Sequence, residues 1–138
     1  MSDELHIHPP IVDPRTYQKG CSCGKDHPVP HVTLYSAEDA CTVLAKDCRA
    51  VYGHRPVLLI SDPDTDTVAG LRLREQLQRC EVSLEHYLLE PKPVATDQRA
   101  EKIDTACHDK ALIISVGSGT VNDLGKYVAD RKGIDFWT

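Results

Sequence analysis

Residues 117–119, with the sequence Gly-Ser-Gly, separate an apolar run of strand length from the start of a helical pattern. A strand, a glycine turn and a helix start, in that order, direct free backbone N–H groups and the positive end of a helix dipole at one point. Gly117 and Gly119 let the backbone approach a bound group closely, because they carry no Cβ. The spacing therefore predicts an anion site, such as one for phosphate. The alternative is a tight turn without a ligand.

Asp62 directly follows a second apolar run, residues 56–61. In an open parallel sheet, ligands bind at the carboxyl ends of the strands, where a carboxylate can accept hydrogen bonds from the ribose hydroxyls of a dinucleotide. The negative charge would repel a 2′-phosphate, so the predicted cofactor is NAD(H), with NADP(H) as the alternative. The other interpretation of Asp62 is a carboxylate that caps the following helix.

The order of these two features differs from that of the common Rossmann fingerprint. In that fingerprint the glycine loop comes first and the acidic residue follows about 20 residues later. Here Asp62 precedes the glycines, and Asn122 stands where the third glycine would be. On spacing alone, the ordinary Rossmann fingerprint is absent.

Apolar runs and helical patterns alternate along most of the chain. Strands are predicted at residues 31–35, 56–61 and 82–89, in the run that begins at residue 111, and from residue 134. Helices are predicted between them. The first follows Asp39 and has a core face that reaches Val51. The second has Ala69, Leu73 and Leu77 spaced by four, and Thr96 caps the third. A strand recurs about every 30 residues, as expected of βα units. This predicts an α/β fold with a Rossmann-like parallel sheet flanked by helices.

The first thirty residues have a different character. Five prolines and a Cys-rich segment predict an irregular arm with a turn at residues 1–30, ahead of a dinucleotide-binding domain at residues 31–138. Cys21, Cys23 and His27 have donor atoms that suit zinc, but a closed structural site takes four ligands. The favoured interpretation is a turn that packs the arm, with a zinc site as the alternative.

Composition excludes several classes of function. The chain has 138 residues and a formal net charge of −5, without the basic stripe that nucleic-acid binding requires. Its apolar stretches are too short to cross a membrane. The N-terminus lacks the pattern of a secretory signal, so we expect a cytoplasmic protein with reduced cysteines. Four of the six cysteines lie among apolar positions and are expected to be small core residues: Cys41, Cys48, Cys80 and Cys107.

Three segments together resemble one enzyme superfamily. They are Val-Gly-Ser-Gly-Thr-Val-Asn-Asp-Leu-Gly-Lys-Tyr at residues 116–127, Leu-Ile-Ser-Asp-Pro-Asp-Thr at residues 59–65, and the Cys-rich residues 21–27. This pattern resembles the iron-containing alcohol dehydrogenase and dehydroquinate-synthase-like superfamily, and within it the sn-glycerol-1-phosphate dehydrogenases. In that superfamily the acidic residue precedes the glycine turn, as it does here.

The resemblance implies a role for each of these residues. Asp62 would hold the adenosine ribose of NAD(H), and Asp123 would lie near the nicotinamide side of the cleft. Members of this branch reduce dihydroxyacetone phosphate, a small phosphate substrate, to sn-glycerol 1-phosphate by hydride transfer, with a divalent metal that polarises the carbonyl. The residues implied to wrap the pyrophosphate are Gly117, Ser118, Gly119, Thr120 and Val121.

Members of the superfamily are much longer than this chain. The resemblance therefore implies the N-terminal cofactor domain of a two-domain protein, whose C-terminal domain supplies one Asp and two His ligands for Zn, Ni or Fe. We expect no catalytic residue and no metal ligand within these 138 residues, and no turnover by them alone. A homo-oligomer is compatible with the resemblance.

Two other functions stay open. One is a dehydroquinate-synthase-like lyase that uses NAD only transiently. The other is a receiver-like domain with Asp62 as phosphoacceptor, although the turn at residues 117–119 replaces the Lys expected at the end of a late strand.

Overall fold

A computed structural model describes residues 22–25, 35–117 and 119–138 of the chain. The chain divides into two compact units, Met1–Ala40 and Cys41–Thr138. In the first unit, residues 22–25 form a turn with Gly24 at φ +73°, and the Tyr35 hydroxyl donates to Asp39 Oδ1 at 2.8 Å. Most of the predicted arm, Cys21, His27 and the strand predicted at residues 31–34 lie outside the described residues. No helix in the described part is long and apolar enough to cross a membrane.

Helices and parallel strands alternate in the second unit, which confirms the predicted α/β fold. The described strands form one sheet in the order β2-β1-β3-β4, with all neighbours parallel. The elements in chain order are α1 (Ala40–Tyr52), β1 (Val57–Ser61), α2 (Pro63–Thr65), a π-helix (Asp66–Gly70), α3 (Leu71–Arg79), β2 (Leu84–Leu88), α4 (Asp97–Ala106), β3 (Leu112–Ser115), α5 (Thr120–Lys132) and β4 (Asp135–Trp137).

The two central strands, β1 and β3, are buried along their whole length. Parallel strands covered on both faces are expected to be continuously apolar, which is the pattern that the sequence shows. The register places Val57 beside both Leu84 and Leu112, so the carboxyl ends of β1 and β3 lie next to each other.

Helices cover both faces of the sheet and make two separate cores. On one face, α1 and α3 pack against Val57, Leu59 and Ile114. On the other face, α4 and α5 pack against Leu58, Ile60 and Ile113. The helix after β1 and the helix after β3 therefore leave the sheet on opposite faces.

The single helix predicted after Asp62 is three consecutive helical segments in the structure: α2, the π-helix and α3. Pro63 begins α2 immediately after β1, because its fixed φ suits the first helical position. One turn later the backbone N–H of Leu71 donates to the carbonyl of Asp66, which is the wider spacing of a π-helix.

The core face of α1 also differs from the prediction at its end. Val51 is 58% exposed, whereas its neighbour Tyr52 is only 4% exposed. Tyr52 packs edge-on against Trp137 with ring centroids 5.5 Å apart, and its hydroxyl donates to Asp135 Oδ2 at 2.6 Å. These partners come from β4, so the sequence of α1 alone does not show them.

The predicted packing of the cysteines is confirmed in the described part of the chain. Cys48 and Cys107 are buried, and burial raises the pKa of each thiol to about 11. Cys41 and Cys80 are partly buried against the core that α1 and α3 form. All four are free thiols.

Candidate functional site

The glycine turn and Asp62 meet at the place where the order of strands reverses. Asp62 follows β1 and Gly117 follows the adjacent strand β3, whose pairing extends to the bond from the Val116 N–H to the Ile60 carbonyl at 2.8 Å. A Cβ placed on Gly117 would lie 3.1 Å from Thr65 Cγ2, so the turn packs directly against α2. Open α/β sheets bind their ligands at such a point, between two adjacent strands whose following helices leave on opposite faces of the sheet.

The two glycines of the turn serve different structural purposes. Gly117 has φ +149° and lies against Thr65 and Val121, so a side chain there would be both strained and crowded. Gly119 has φ +50°, but a Cβ on it would meet no atom within 4 Å. At Gly119 the backbone conformation favours glycine, while the space beside it is open. Ser118 lies outside the described residues.

The N-terminus of α5 begins at this turn and has no side-chain cap. Gly119 is its N-cap residue, and the first bond that closes the helix runs from the Asp123 N–H to the Gly119 carbonyl at 2.9 Å. The N–H groups of the first turn are thus free for an anion. Val121 is 1% exposed and belongs to the core, so only its backbone can reach a ligand. Thr120 is partly buried and Asp123 is exposed.

A buried polar atom without a partner lies in the same turn of α5. Asn122 Oδ1 is buried and has no hydrogen-bond partner among the described residues. Buried side-chain acceptors in native proteins are nearly always satisfied, so this atom is available to a donor. Asn122 occupies the position of the third glycine of the Rossmann fingerprint.

Asp62 is a helix cap in the structure, which was the alternative interpretation of this residue. The Thr65 N–H donates to Asp62 Oδ1 at 2.8 Å, and the Asp62 N–H donates to Thr65 Oγ1 at 3.0 Å. This reciprocal pair fixes the carboxylate beside the glycine turn. Capping uses Oδ1, and the carboxylate has a second oxygen, Oδ2, that the cap does not use. The cap and a ligand contact are therefore compatible.

A cleft of about 220 Å³ lies between α2, the π-helix and the glycine turn. Its walls are mostly apolar, and one of them is Val68, which is 84% exposed. Such a cleft suits a flat apolar group flanked by polar atoms. The lining residues are Asp64, Thr65, Val68, Ala69, Val116 and Gly117.

A larger cavity of about 400 Å³ lies at the opposite, amino end of the strands. Its charged groups are largely paired within the protein: Lys110 Nζ contacts Glu85 Oε2 at 2.9 Å and also Asp109, and Asp135 accepts the Tyr52 hydroxyl. Since its charges are satisfied internally, this cavity is not a candidate site.

Four polar side chains of β1, the π-helix, α3 and β2 form a connected group that the sequence did not reveal, named here the Ser61 cluster: Ser61, Asp66, Arg74 and His86. The Ser61 hydroxyl donates to Asp66 Oδ1 at 3.1 Å and lies 2.7 Å from His86 Nε2. Arg74 Nη2 donates to Asp66 Oδ2 at 2.8 Å.

The pKa of His86 is lowered, mainly because the imidazole is partly buried and also because Arg74 is positively charged; the negative charge of Asp66 acts in the opposite direction. The available signal was a serine at the end of one predicted strand and a histidine within another, but their contact depends on strand register.

Gly125 is a second residue that sequence reasoning missed. A Cβ on Gly125 would overlap Ser115 Oγ and lie 3.1 Å from Phe136 Cε2. Because glycine has no Cβ, α5 can approach the sheet closely. In the Rossmann fingerprint the third glycine provides close packing of helix and strand. Here Gly125 provides it, three residues after Asn122. A glycine within a helical pattern was the signal.

Among the described residues, no group of three His, Cys, Asp or Glu side chains is placed to hold a metal ion.

Comparison with known proteins gives a family and two related folds. Residues 35–138 match the family model described as iron-containing alcohol dehydrogenase. A crystal structure of glycerol dehydrogenase from Schizosaccharomyces pombe is 18% identical, with a TM-score of 0.59 over 70% of this chain and 24% of that one. A probable glycerol dehydrogenase from Sinorhizobium meliloti 1021 is 22% identical, with a TM-score of 0.50 over 72% of this chain and 25% of that one.

At these identities the solved structures support the fold. The chain spans about a quarter of the length of either structure. A comparison with curated protein sequences finds no match.

Proposed function

This chain belongs to the iron-containing alcohol dehydrogenase family, and we propose that it is the NAD(H)-binding part of a metal-dependent polyol-phosphate dehydrogenase. The proposed reaction is the reduction of dihydroxyacetone phosphate to sn-glycerol 1-phosphate, which would make the whole protein an sn-glycerol-1-phosphate dehydrogenase. One observation carries the proposal: the glycine turn and the Asp62 helix cap are in contact, through Gly117 and Thr65, at the reversal of strand order.

The pyrophosphate of the cofactor fits the start of α5. The N–H groups in the first turn of α5 have no side-chain cap, and the space beside Gly119 is open. The phosphates can therefore approach the backbone of Thr120 and Val121. The same proposal includes Gly117 and Ser118, which precede the helix. A ligand that donates a hydrogen bond here would also satisfy Asn122 Oδ1.

The adenosine ribose fits beside Asp62. The cap with Thr65 holds the carboxylate in place and leaves Oδ2 to accept from the ribose hydroxyls. Asp64, which lines the cleft beside the glycine turn, adds a second negative charge close to Asp62, so a 2′-phosphate would be repelled. We therefore propose NAD(H) rather than NADP(H), with Asp123 toward the nicotinamide side.

The reaction needs two groups that these residues do not themselves supply. When bound, NADH supplies the hydride and a divalent metal such as Zn, Ni or Fe polarises the carbonyl oxygen. The residues of this chain bind and orient the dinucleotide: the α5 backbone holds its phosphates and Asp62 holds its ribose. The metal and most of the substrate contacts are proposed to come from a further domain.

The binding site is tested by titrating the 138-residue chain and two variants with NADH. Gly119→Val should raise the dissociation constant at least tenfold, about 1.4 kcal/mol, because its side chain would fill the open space beside the turn. Asp62→Ala should weaken NADH more than NADPH, since it removes a ribose acceptor and a charge that repels the 2′-phosphate.

Matched controls separate binding from stability. Gly53→Val places the same side chain at another positive φ, +61°, where a Cβ also meets no atom within 4 Å. It should lower stability and leave NADH affinity within about twofold. The control for Asp62→Ala is Asp130→Ala, which removes an exposed carboxylate from the last turns of α5 and should leave the affinities for NADH and NADPH unchanged. An unchanged affinity in Gly119→Val would remove the turn from the site, and equal losses of NADH and NADPH in Asp62→Ala would remove Asp62 from the ribose.

The substrate is tested by the oxidation of NADH with dihydroxyacetone phosphate and Zn²⁺, Ni²⁺ or Fe²⁺. We expect no turnover by the 138 residues alone, and turnover when the same sequence is joined to a metal-binding domain of this family. Consumption of one NADH for each product distinguishes a dehydrogenase from a dehydroquinate-synthase-like lyase, which would regenerate its cofactor. No oxidation by the joined protein would exclude this substrate.

A further inference from the structure

The Ser61 cluster is joined by the main chain to the segment that carries Asp62. The Asp66 N–H donates to the Asp62 carbonyl at 2.8 Å, and the Asp66 carbonyl accepts the N–H of Leu71. The carboxylate of Asp66 reaches Ser61 on β1 and Arg74 on α3. Asp66 therefore holds the whole connection from Asp62 to Gly70, named here the β1–α3 connection, to its neighbours.

Close packing fixes the Asp66 carboxylate. A Cβ on Gly70 would overlap Asp66 Oδ1 and lie 3.2 Å from its Cγ, so the carboxylate lies flat against the glycine. The side chain of Asp66 is only 20% exposed. Asp66 and Gly70 are the first and last residues of the π-helix, so the glycine that makes room for this carboxylate belongs to the same helical turn.

The protons of the cluster can be assigned from its geometry. Ser61 has one hydroxyl proton and donates it to Asp66, so its oxygen accepts a bond from His86 Nε2 at 2.7 Å. A neutral His86 therefore carries its proton on Nε2. In this state both oxygens of Asp66 are satisfied, one by Ser61 and the other by Arg74.

A second proton on His86 disturbs this arrangement. Among the described residues, the charged groups that act on His86 are Arg74 of α3 and Asp66 of the π-helix, and its neighbour on β1 is the uncharged Ser61. The second proton goes to Nδ1, because Nε2 already carries one. The charged ring would then attract Asp66 Oδ1, which lies 3.4 Å from His86 Nε2, and draw it away from the Ser61 hydroxyl, while Arg74 stays on Oδ2. Two cations would then share one partly buried anion.

The sign of the pH dependence follows from the lowered pKa of His86. The folded value lies below the ordinary value of 6.5, so the unfolded or rearranged form takes up the proton first as the pH falls. The contribution of neutral His86 to the stability of the observed arrangement is therefore present above about pH 6.5 and is lost as the pH falls below that value and through the lower folded pKa.

We propose that Asp66 is a positioning residue for the cofactor site, and that the gain of a proton by His86 draws Asp66 away from Ser61 and so releases the β1–α3 connection from β1. Asp62 and the cleft wall at Val68 lie on this connection, so its release lowers the affinity for the dinucleotide. Only this last consequence rests on the proposed function.

The conformational part is tested without any ligand. The isotope-labelled chain is titrated from about pH 8 to pH 5, and NMR follows the His86 imidazole together with the backbone amides of residues 62–70. The amides should shift with the same midpoint as His86, below 6.5. His86→Gln keeps an N–H donor for Ser61 but cannot gain a charge, so the transition should disappear while the spectrum at high pH is retained.

A matched control and a binding measurement complete the test. His54→Gln removes an exposed imidazole that contacts Arg49, and should leave the transition unchanged. NADH affinity should fall at least threefold from about pH 8 to pH 5 in the wild type, and stay constant in His86→Gln. If the amides of residues 62–70 do not follow His86, the proposal is wrong whether or not NADH binds. If they follow it but NADH fails to bind at any pH, the coupling of His86 to the β1–α3 connection stands, and the positioning role for a cofactor fails together with the proposed function.

Discussion

Replacing Gly125 by alanine tests how closely α5 must approach the sheet. The new Cβ would overlap Ser115 Oγ and lie 3.1 Å from Phe136 Cε2 and 3.4 Å from Ile113 Cγ2. Ser115 must rotate and lose its bond to the Val121 carbonyl, which is 3.3 Å long, and because the contacts with Phe136 and Ile113 remain, α5 must also move away from β3. Both responses disturb the helix that begins at the glycine turn.

The size of the effect follows from three contributions. Overpacking a core costs about 2 kcal/mol, and loss of the Ser115 hydrogen bond costs about 1 kcal/mol. Alanine is better than glycine within a helix by about 1 kcal/mol. We therefore expect Gly125→Ala to lower the free energy of unfolding by about 2 kcal/mol, measured by urea unfolding.

The Ser115→Ala background provides the control, because it removes the atom that the new Cβ would overlap. In that background Gly125→Ala should cost less than about 1 kcal/mol, since only the contacts with Phe136 and Ile113 remain. The four proteins form a double-mutant cycle, with the urea midpoint and the slope of each transition measured. An equal cost of Gly125→Ala in both backgrounds would refute the role given to the Ser115 contact.

Two further predictions concern groups outside the cleft. Tyr52→Phe keeps the ring against Trp137 but removes the hydrogen bond to Asp135, so the free energy of unfolding should fall by about 1 kcal/mol; a loss below the error of urea unfolding would mean that water replaces the bond. Cys48 and Cys107, each with its pKa raised to about 11 by burial, should resist a thiol reagent at about pH 8 until the chain unfolds. Peptide mapping of labelled native protein checks this, and early labelling of either would contradict it.

Much of the fold could be predicted from local sequence, because its two central strands are apolar runs and its helices begin at recognisable residues. Thr96 is the N-cap of α4 as predicted, accepting the Arg99 N–H at 3.3 Å. The glycine turn lies between β3 and α5, and Asp62 directly follows β1. These features depend on residues a few positions apart, which a single sequence shows directly.

The π-helix could not be predicted in this way. Ala69, Leu73 and Leu77 keep a spacing of four across it, so the apolar pattern reads as one regular helix. In the structure, the first residue of the widened turn, Asp66, forms hydrogen bonds with Arg74 and Ser61 and packs against Gly70. The apolar pattern does not show these contacts. Likewise, the contact between Ser61 and His86 depends on strand register, which periodicity leaves undetermined.

The sheet order has a consequence for the assembly of the chain. β1 and β3 are neighbours in space, but the chain must pass through α3, β2 and α4 before it returns from one to the other. Pairings between distant parts of a sequence are slow to form, because the intervening loop must be closed first. Thr65 therefore reaches Gly117 only after α3, β2 and α4 have been synthesised. The cleft of a growing polypeptide cannot form before β1 and β3 have paired, so ligand retention would report that this pairing has taken place.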